Sequence, residues 1–321
     1  MIKYIDEYQN KTLVDKLLKQ IEKKAAETGK KQINLMEVCG THTVAIFRLG
    51  IRDVLPKKIN LISGPGCPVC VTSSEDIDLI IQIAQQPNVI TATFGDMIKV
   101  PGSRGSLEQL KASGADIRVV YSPLDVIDIA QKEPDKKIVF LGIGFETTAP
   151  TIAAMLAAAR QQKVKNLFVL PVCKVIPPAM KVLLDDKTAR VDGFLLPGHV
   201  SIILGTEPYE FIAQDYHLSG VIAGFEPLDI LEAVYMLLEQ ISAQDPKIEI
   251  AYKRSVRPEG NPQALKILYE VFQPRTAAWR GLGRIPASGL VLRQEYKDFD
   301  AEKVFNLSPP EPEKNTGCLC G

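Results

Sequence analysis

Six cysteines and three histidines are the residues of this chain best suited to hold a metal or move electrons, and several fall in short glycine-bearing motifs. Cys39-Gly40-Thr41-His42-Thr43 directly follows the apolar run Ile33 to Val38. Ligands of open parallel sheets gather beyond the carboxyl ends of strands, so a working thiol belongs at such a place. Gly40 permits a sharp turn, and the N-terminus of a following helix would lower the pKa of Cys39 and favour the thiolate that binds metal or attacks an electrophile. His42 is then a ligand, a proton donor or a helix-capping neighbour. Gly64-Pro65-Gly66-Cys67-Pro68-Val69-Cys70 forms a second motif after another apolar run. A Cys-x-x-Cys pair can close a disulfide, chelate a metal or pass electrons by thiol exchange. Val71 in place of histidine removes the covalent haem pattern, and the lack of a second Cys-x-x-Cys disfavours a four-cysteine zinc site.

Three further segments carry candidate groups. Gly142 to Pro150 is a glycine-rich turn whose amides could meet an anion, with Thr147 and Thr148 as caps or hydroxyl donors. No Lys-Ser or Lys-Thr follows, so it is not a P-loop. Glu146 would repel a phosphate there and reads better as a proton carrier, a thiol partner or a hydrogen-bond anchor. Pro197-Gly198-His199-Val200-Ser201 and Gly224-Phe225-Glu226-Pro227 each follow an apolar run, although a lone histidine is commonly structural and Glu226 could simply cap a helix. Cys173 closes the run Leu167 to Val172 and reads as an inert core thiol. The pattern proposes one cleft edge carrying three cysteines, two histidines and two glutamates.

The elements that must position these groups alternate. Short apolar runs at 33–38, 59–63, 89–94, 117–121, 137–143, 166–172, 193–196 and 220–223 have strand length, and helical stretches separate them. Helices are expected over 11–27, over 74–86 with Ser73 as cap, and from Pro123 and Pro227. The fold class is α/β: two lobes of parallel-sheet βα units around a cleft, plus a peripheral helical and irregular C-terminal domain. Gly144-Phe145-Glu146 recurs at 224–226, a weak echo between lobes. The expected division is an outer helix within 1–30, a cysteine-bearing lobe of 31–121 with 220–242, a second lobe of 122–219, and a C-terminal domain of 243–321.

Bulk composition bounds the partners. Lys plus Arg and Asp plus Glu are both 38 in 321 residues, so no net field draws the chain to nucleic acid or an anionic membrane. No apolar run approaches the roughly 20 residues needed to span a bilayer, and the first residues lack a signal-peptide core. A cytoplasmic location is expected, where clustered cysteines serve metal or redox chemistry in preference to structural disulfides.

The three motifs at 39–43, 64–70 and 144–150, together with 197–201, Trp279-Arg280-Gly281-Leu282-Gly283 and the terminal Cys318-Leu319-Cys320-Gly321, resemble the HypD family over nearly the whole chain. The resemblance implies a maturation scaffold on which iron carrying cyanide and carbon monoxide is assembled for [NiFe]-hydrogenase. It implies a HypC-type chaperone and a HypE-type cyanide donor as partners. By motif, Cys39 becomes the iron ligand and Cys67 with Cys70 the redox-active dithiol. His42, Glu146 and His199 become supporting groups or proton relays. The family also carries a [4Fe-4S] cluster to which Cys318 matches the first ligand, but the remaining ligands are absent from this sequence. The expectation is therefore an iron–sulfur region that is either truncated or belongs to a variant lacking the cluster, no stable cluster as given, and a mobile or loosely packed segment after Ser308. A thioredoxin-like thiol oxidoreductase resting on Cys67 and Cys70 is the competing reading, and a nucleotide-binding transferase resting on 142–144 a third.

Overall fold

A computed structural model describes residues 10–186 and 188–307. In chain order the helices are α1 (Lys11–Glu27), α2 (Gly40–Arg48), α3 (Ile51–Val54), α4 (Pro68–Val71), α5 (Ser74–Ala84), α6 (Leu107–Ala112), α7 (Asp125–Lys132), α8 (Ala149–Gln161), α9 (Ile176–Asp185), α10 (Gly198–Leu204), α11 (Glu210–Gln214), α12 (Pro227–Ala243), α13 (Pro262–Val271) and α14 (Ala301–Val304). The strands are β1 (Ile33–Glu37), β2 (Ile59–Ser63), β3 (Val89–Thr93), β4 (Ile117–Val119), β5 (Lys137–Gly142), β6 (Leu167–Pro171), β7 (Gly193–Pro197), β8 (Ser219–Ala223), β9 (Ile248–Ile250), β10 (Phe272–Trp279) and β11 (Gly283–Leu292).

The chain divides into two compact units, one of residues 1–67 with 179–262 and one of 68–178 with 263–321. In the first unit the strands run in the order β2-β1-β7-β8-β9, all parallel. Register pairs Leu35 with both Leu61 and Gly193, so β7 enters beside β1 from 158 residues away. α1 and α12 cover this sheet: Ile21 and Ala25 pack with Ile33, Leu35, Val221, Leu237 and Leu238 in one core. Asn10 caps α1 by accepting from the amides of Thr12 and Leu13.

The second unit has the parallel order β4-β3-β5-β6. Alternate residues of its strands enter opposite cores, Ile90, Ile138, Phe140 and Val169 on one face and Val89, Val139, Leu141 and Leu170 on the other. Burial on both faces is what makes parallel strands read as unbroken apolar runs. Ser73 caps α5 by accepting from the amide of Asp76, as its sequence predicts. An antiparallel hairpin of β10 and β11 completes the unit.

The α/β class and the parallel strands agree with the sequence expectation, but the division differs. β3 and β4 belong to the second unit rather than with the cysteine lobe, and β7 belongs to the first. The boundary falls at Cys67–Pro68 instead of near Tyr121, because strand pairing over long separations decides it. Residues 243–307 are not a domain of their own. β9 adds to the first sheet, while Leu268, Phe272, Leu290 and Leu292 fill a core of the second unit. Among the described residues no helix is long and apolar enough to cross a membrane.

Candidate functional site

β1 ends at Glu37, and two residues later Cys39 becomes the N-cap of α2 in extended conformation, φ −151° and ψ 120°. The Glu37 carboxylate, fully buried, turns back to accept the amide of Cys39 at 3.0 Å and the hydroxyl of Thr43. Burial holds this carboxyl above its ordinary pKa, against opposing hydrogen bonds from Thr43, Cys39 and Ser63. The loop after β2 locks into the same place. The amide of Gly64 donates to the carbonyl of Glu37 at 2.7 Å, and that of Gly40 to the carbonyl of Gly66 at 2.9 Å. A Cβ on Gly66 would lie 2.1 Å from the Cys39 nitrogen, and one on Gly40 would lie 3.4 Å from Cβ of Cys67. Gly64 and Gly66 are thus required by close approach, with a Cβ on Gly64 only 2.8 Å from the Glu37 carbonyl, and the packing of the two loops brings Cys39 and Cys67 together.

Cys39 is 8% exposed and Cys67 half-buried, whereas Cys70, in the one-turn α4 that opens the second unit, is exposed. Burial pushes the Cys39 thiol above its ordinary pKa. The amides of His42 and Thr41 and the Thr41 hydroxyl pull it down, while the Glu37 charge adds to the rise. The thiolate that the helix N-terminus was expected to favour is therefore not the resting form. Desolvation outweighs the helix end.

His42 lies on the buried face of α2, 1% exposed. Burial lowers its pKa to about 4, so the ring is neutral near pH 7. Its Nε2 lies 2.9 Å from the Gly224 carbonyl, which fixes the proton on that nitrogen, since a carbonyl can only accept. Nδ1 is left as a buried lone pair without a partner. Phe225 stacks on both imidazoles, with ring centroids 4.6 Å from His42 and 4.0 Å from His199. His199 is exposed at the start of α10, and desolvation holds its pKa below the ordinary value. The loop bearing Phe225 is anchored by Asp229, which accepts the amides of Phe225 and Glu226 at 3.0 Å each. Arg254 grips the same carboxylate at 2.5 and 2.6 Å. Glu226 caps α12 in a reciprocal box with Asp229, which is the structural role the sequence allowed for it.

The glycine-rich turn belongs to the second unit. Glu146 is 1% exposed; its Oε1 accepts the Ile176 amide at 2.8 Å and its Oε2 has no partner. Burial raises it to about 7. Thr147 is exposed, and Thr148 is the N-cap residue of α8 without a side-chain cap bond. Its side chain fills the space over Gly144, where a Cβ would meet it at 2.3 Å. Neither threonine therefore caps the helix as expected. Cys173, 2% exposed and pushed up to about 12 by burial, is the inert core thiol anticipated.

The first unit thus gathers Cys39, Cys67, His42, His199 and Phe225, with Glu226 structural. Glu146, Thr147 and Thr148 are held by the second unit, so the expected gathering of all candidates at one edge is not a property of either unit. Among the described residues no three His, Cys, Asp or Glu groups stand together as a metal-holding set. Cys318 and Cys320, and with them the iron–sulfur expectation and the segment after Ser308, lie outside the described residues. Sequence reasoning passed over Glu37, Phe225, Asp229 and Arg254. Glu37 had a signal, a lone carboxylate ending an apolar strand. The pairing of Asp229 with Arg254 had none.

Comparison with known proteins gives the same relatives along the whole chain. The family HypD, described as "Hydrogenase formation hypA family", matches residues 12–321. The hydrogenase maturation factor HypD of Escherichia coli is 43% identical over 324 residues, covering 100% of this chain and 87% of that protein. The protein of the same description from Rhodobacter capsulatus is 43% identical over 328 residues, covering 100% and 87%. The hydrogenase expression/formation protein HupD of Azotobacter chroococcum is 41% identical over 326 residues, covering 99% and 86%.

Proposed function

The chain belongs to the HypD family, and we propose that it is a hydrogenase maturation protein that holds its cargo, iron carrying cyanide and carbon monoxide, on Cys39. In this reading Cys67 and Cys70 are a redox dithiol, a HypC-type chaperone is the partner on the scaffold, and a HypE-type protein delivers cyanide. The observation that carries it is the interlock of the two cysteine loops, with Gly66 pressed on the backbone of Cys39 and Cys67 beside Gly40. An electron-rich thiolate suits iron with such ligands.

The residues of the site divide the work. Cys39 gives up its proton when it takes the metal, since the ligand is the thiolate. Glu37 fixes the backbone of that cysteine. His42 is not a reservoir for the proton, because a ring with a pKa of about 4 is neutral near pH 7. Its unpartnered Nδ1 is instead available to accept a hydrogen bond from the cargo or its ligands. Oxidation of Cys67 and Cys70 to a disulfide releases two electrons and two protons, and exposed Cys70 is the sulfur an outside thiol reaches first. A thiol oxidoreductase would use the same pair but leaves buried Cys39, Glu37 and His42 without work.

The test is infrared spectroscopy of the chain purified with a HypC-type chaperone. Cyanide and carbon monoxide absorb where protein does not. The bands are expected in the wild type and lost in Cys39→Ala, with folding kept within about 1 kcal/mol because one small side chain is removed. Unchanged bands in Cys39→Ala would remove that residue as the ligand.

A further inference from the structure

The outward face of the helix that begins at Cys39 is apolar and uncovered. Val44 and Phe47, one helical turn apart on α2, are 54% and 82% exposed, and Leu49 and Val54 follow at 43% and 49%. His42 and Ile46 occupy the buried side of the same helix. Single exposed apolar side chains are ordinary, but four within eleven residues form a patch of the kind that marks an interaction site. Exposed cations accompany it: Arg48, Arg52 and Lys57, opposed only by Asp53 along this stretch.

We propose that α2 and α3 form a docking surface for a partner protein that offers an apolar pocket to Phe47 and carboxylates to Arg48 and Arg52. Charge decides the occupant. A second copy seated about a twofold axis would bring two copies of the same cationic stretch together, Arg48, Arg52 and Lys57 with only Asp53 to oppose them on each, which is repulsive. A membrane surface calls for a longer amphipathic helix than the nine residues of α2 or the four of α3. Phe47 lies eight residues beyond Cys39, about 12 Å along the helix axis. A protein seated on it therefore stands beside the candidate iron site, and that placement rests on the function proposed above.

The probe is the HypC-type chaperone, titrated anaerobically into the full chain by calorimetry. Phe47→Asp is expected to weaken binding by about 30-fold or more, the loss typical of a central anchor. The Arg48→Glu, Arg52→Glu double variant should weaken it chiefly at low salt. Tyr121→Asp, which changes a 95% exposed ring in the second unit, should bind as wild type. Wild-type affinity in Phe47→Asp overturns the surface. So does a wild-type chain that does not bind the chaperone, a result that leaves the Cys39 reading to its own infrared test. If Phe47→Asp instead abolishes self-association, or the binding of anionic phosphatidylserine vesicles, the assigned occupant is wrong.

Discussion

Raising the pH from about 5 to about 8 should weaken the second unit, with Glu146 as a principal cause. Its carboxyl is 1% exposed, has one hydrogen bond to one oxygen and none to the other, and is pushed up to about 7 from an ordinary 4.5. The folded state thus holds the proton more tightly than the unfolded chain. That contribution is complete below about 4.5 and is lost as pH rises through about 7. The 2.5-unit gap between 4.5 and 7 corresponds to an order of magnitude of about 3 kcal/mol. Glu146→Gln keeps an acceptor for the Ile176 amide and removes the titration, so its stability should resemble that of the protonated wild type at every pH. The assay is urea unfolding followed by the fluorescence of Trp279, the only tryptophan, which is 2% exposed and stacked on neighbouring Phe145 at 5.9 Å. Asp300, also raised by burial, titrates in both proteins and cancels in the difference. Parallel pH profiles for wild type and Glu146→Gln would refute the reasoning.

Glu37→Ala should destabilise the first unit by about 2–4 kcal/mol by leaving the Cys39 amide and Thr43 hydroxyl without their buried acceptor, while Glu37→Gln should cost about 1. Hydrogen exchange at the Cys39 loop checks this, and equal protection in both variants would speak against it. Gly66→Ala should cost about 1–3 kcal/mol by overpacking and separate the two cysteine loops, read as loss of the infrared bands; intact bands would show that the loops need not touch. His42 should remain the neutral Nε2-protonated tautomer down to about pH 5, since its pKa is lowered to about 4. Nitrogen NMR of the labelled ring reports this directly, and an imidazolium signal at pH 6 would contradict it.

Much of the fold was legible because β1 to β9 all lie in parallel sheets. Leu167–Pro171 and Gly193–Pro197 are buried at every position, so each appears as an unbroken apolar run. β10 escaped notice because Gln273, Pro274 and Thr276 are exposed and a proline within a run argues against a strand. The division into units is not legible in the sequence, for another reason. The partner of β1 is β7, 158 residues on, and no local feature of Gly193 to Pro197 announces that neighbour. Even the echo at 144–146 and 224–226 misleads about roles, since Glu146 is buried against the Ile176 amide and Glu226 caps a helix. The site was legible as far as residue types allow. Cysteine spacing named Cys39 and Cys67, but the sandwich of His42, Phe225 and His199 joins three distant segments through stacking that leaves no pattern in sequence.

The misjudged thiolate of Cys39 has a consequence for how the proposed cargo would be taken up. An exposed low-pKa cysteine at a helix start would be reactive at all times and open to oxidation. Cys39 is instead buried, beside a buried carboxylate that disfavours a second negative charge, and so stays a thiol until a cation arrives. In the proposed function the bound metal would stabilise the thiolate that the pocket alone disfavours and displace its proton, so loading would become more favourable as pH rises. The exposed partner of the dithiol, Cys70, is placed for the opposite behaviour, meeting thiols and disulfides from outside. Under the proposed function the two motifs would keep separate chemistries, Cys39 guarded by burial for the metal and Cys70 exposed to outside thiols. The close approach of Gly66 to the Cys39 backbone ties the start of the second motif to the first within one unit.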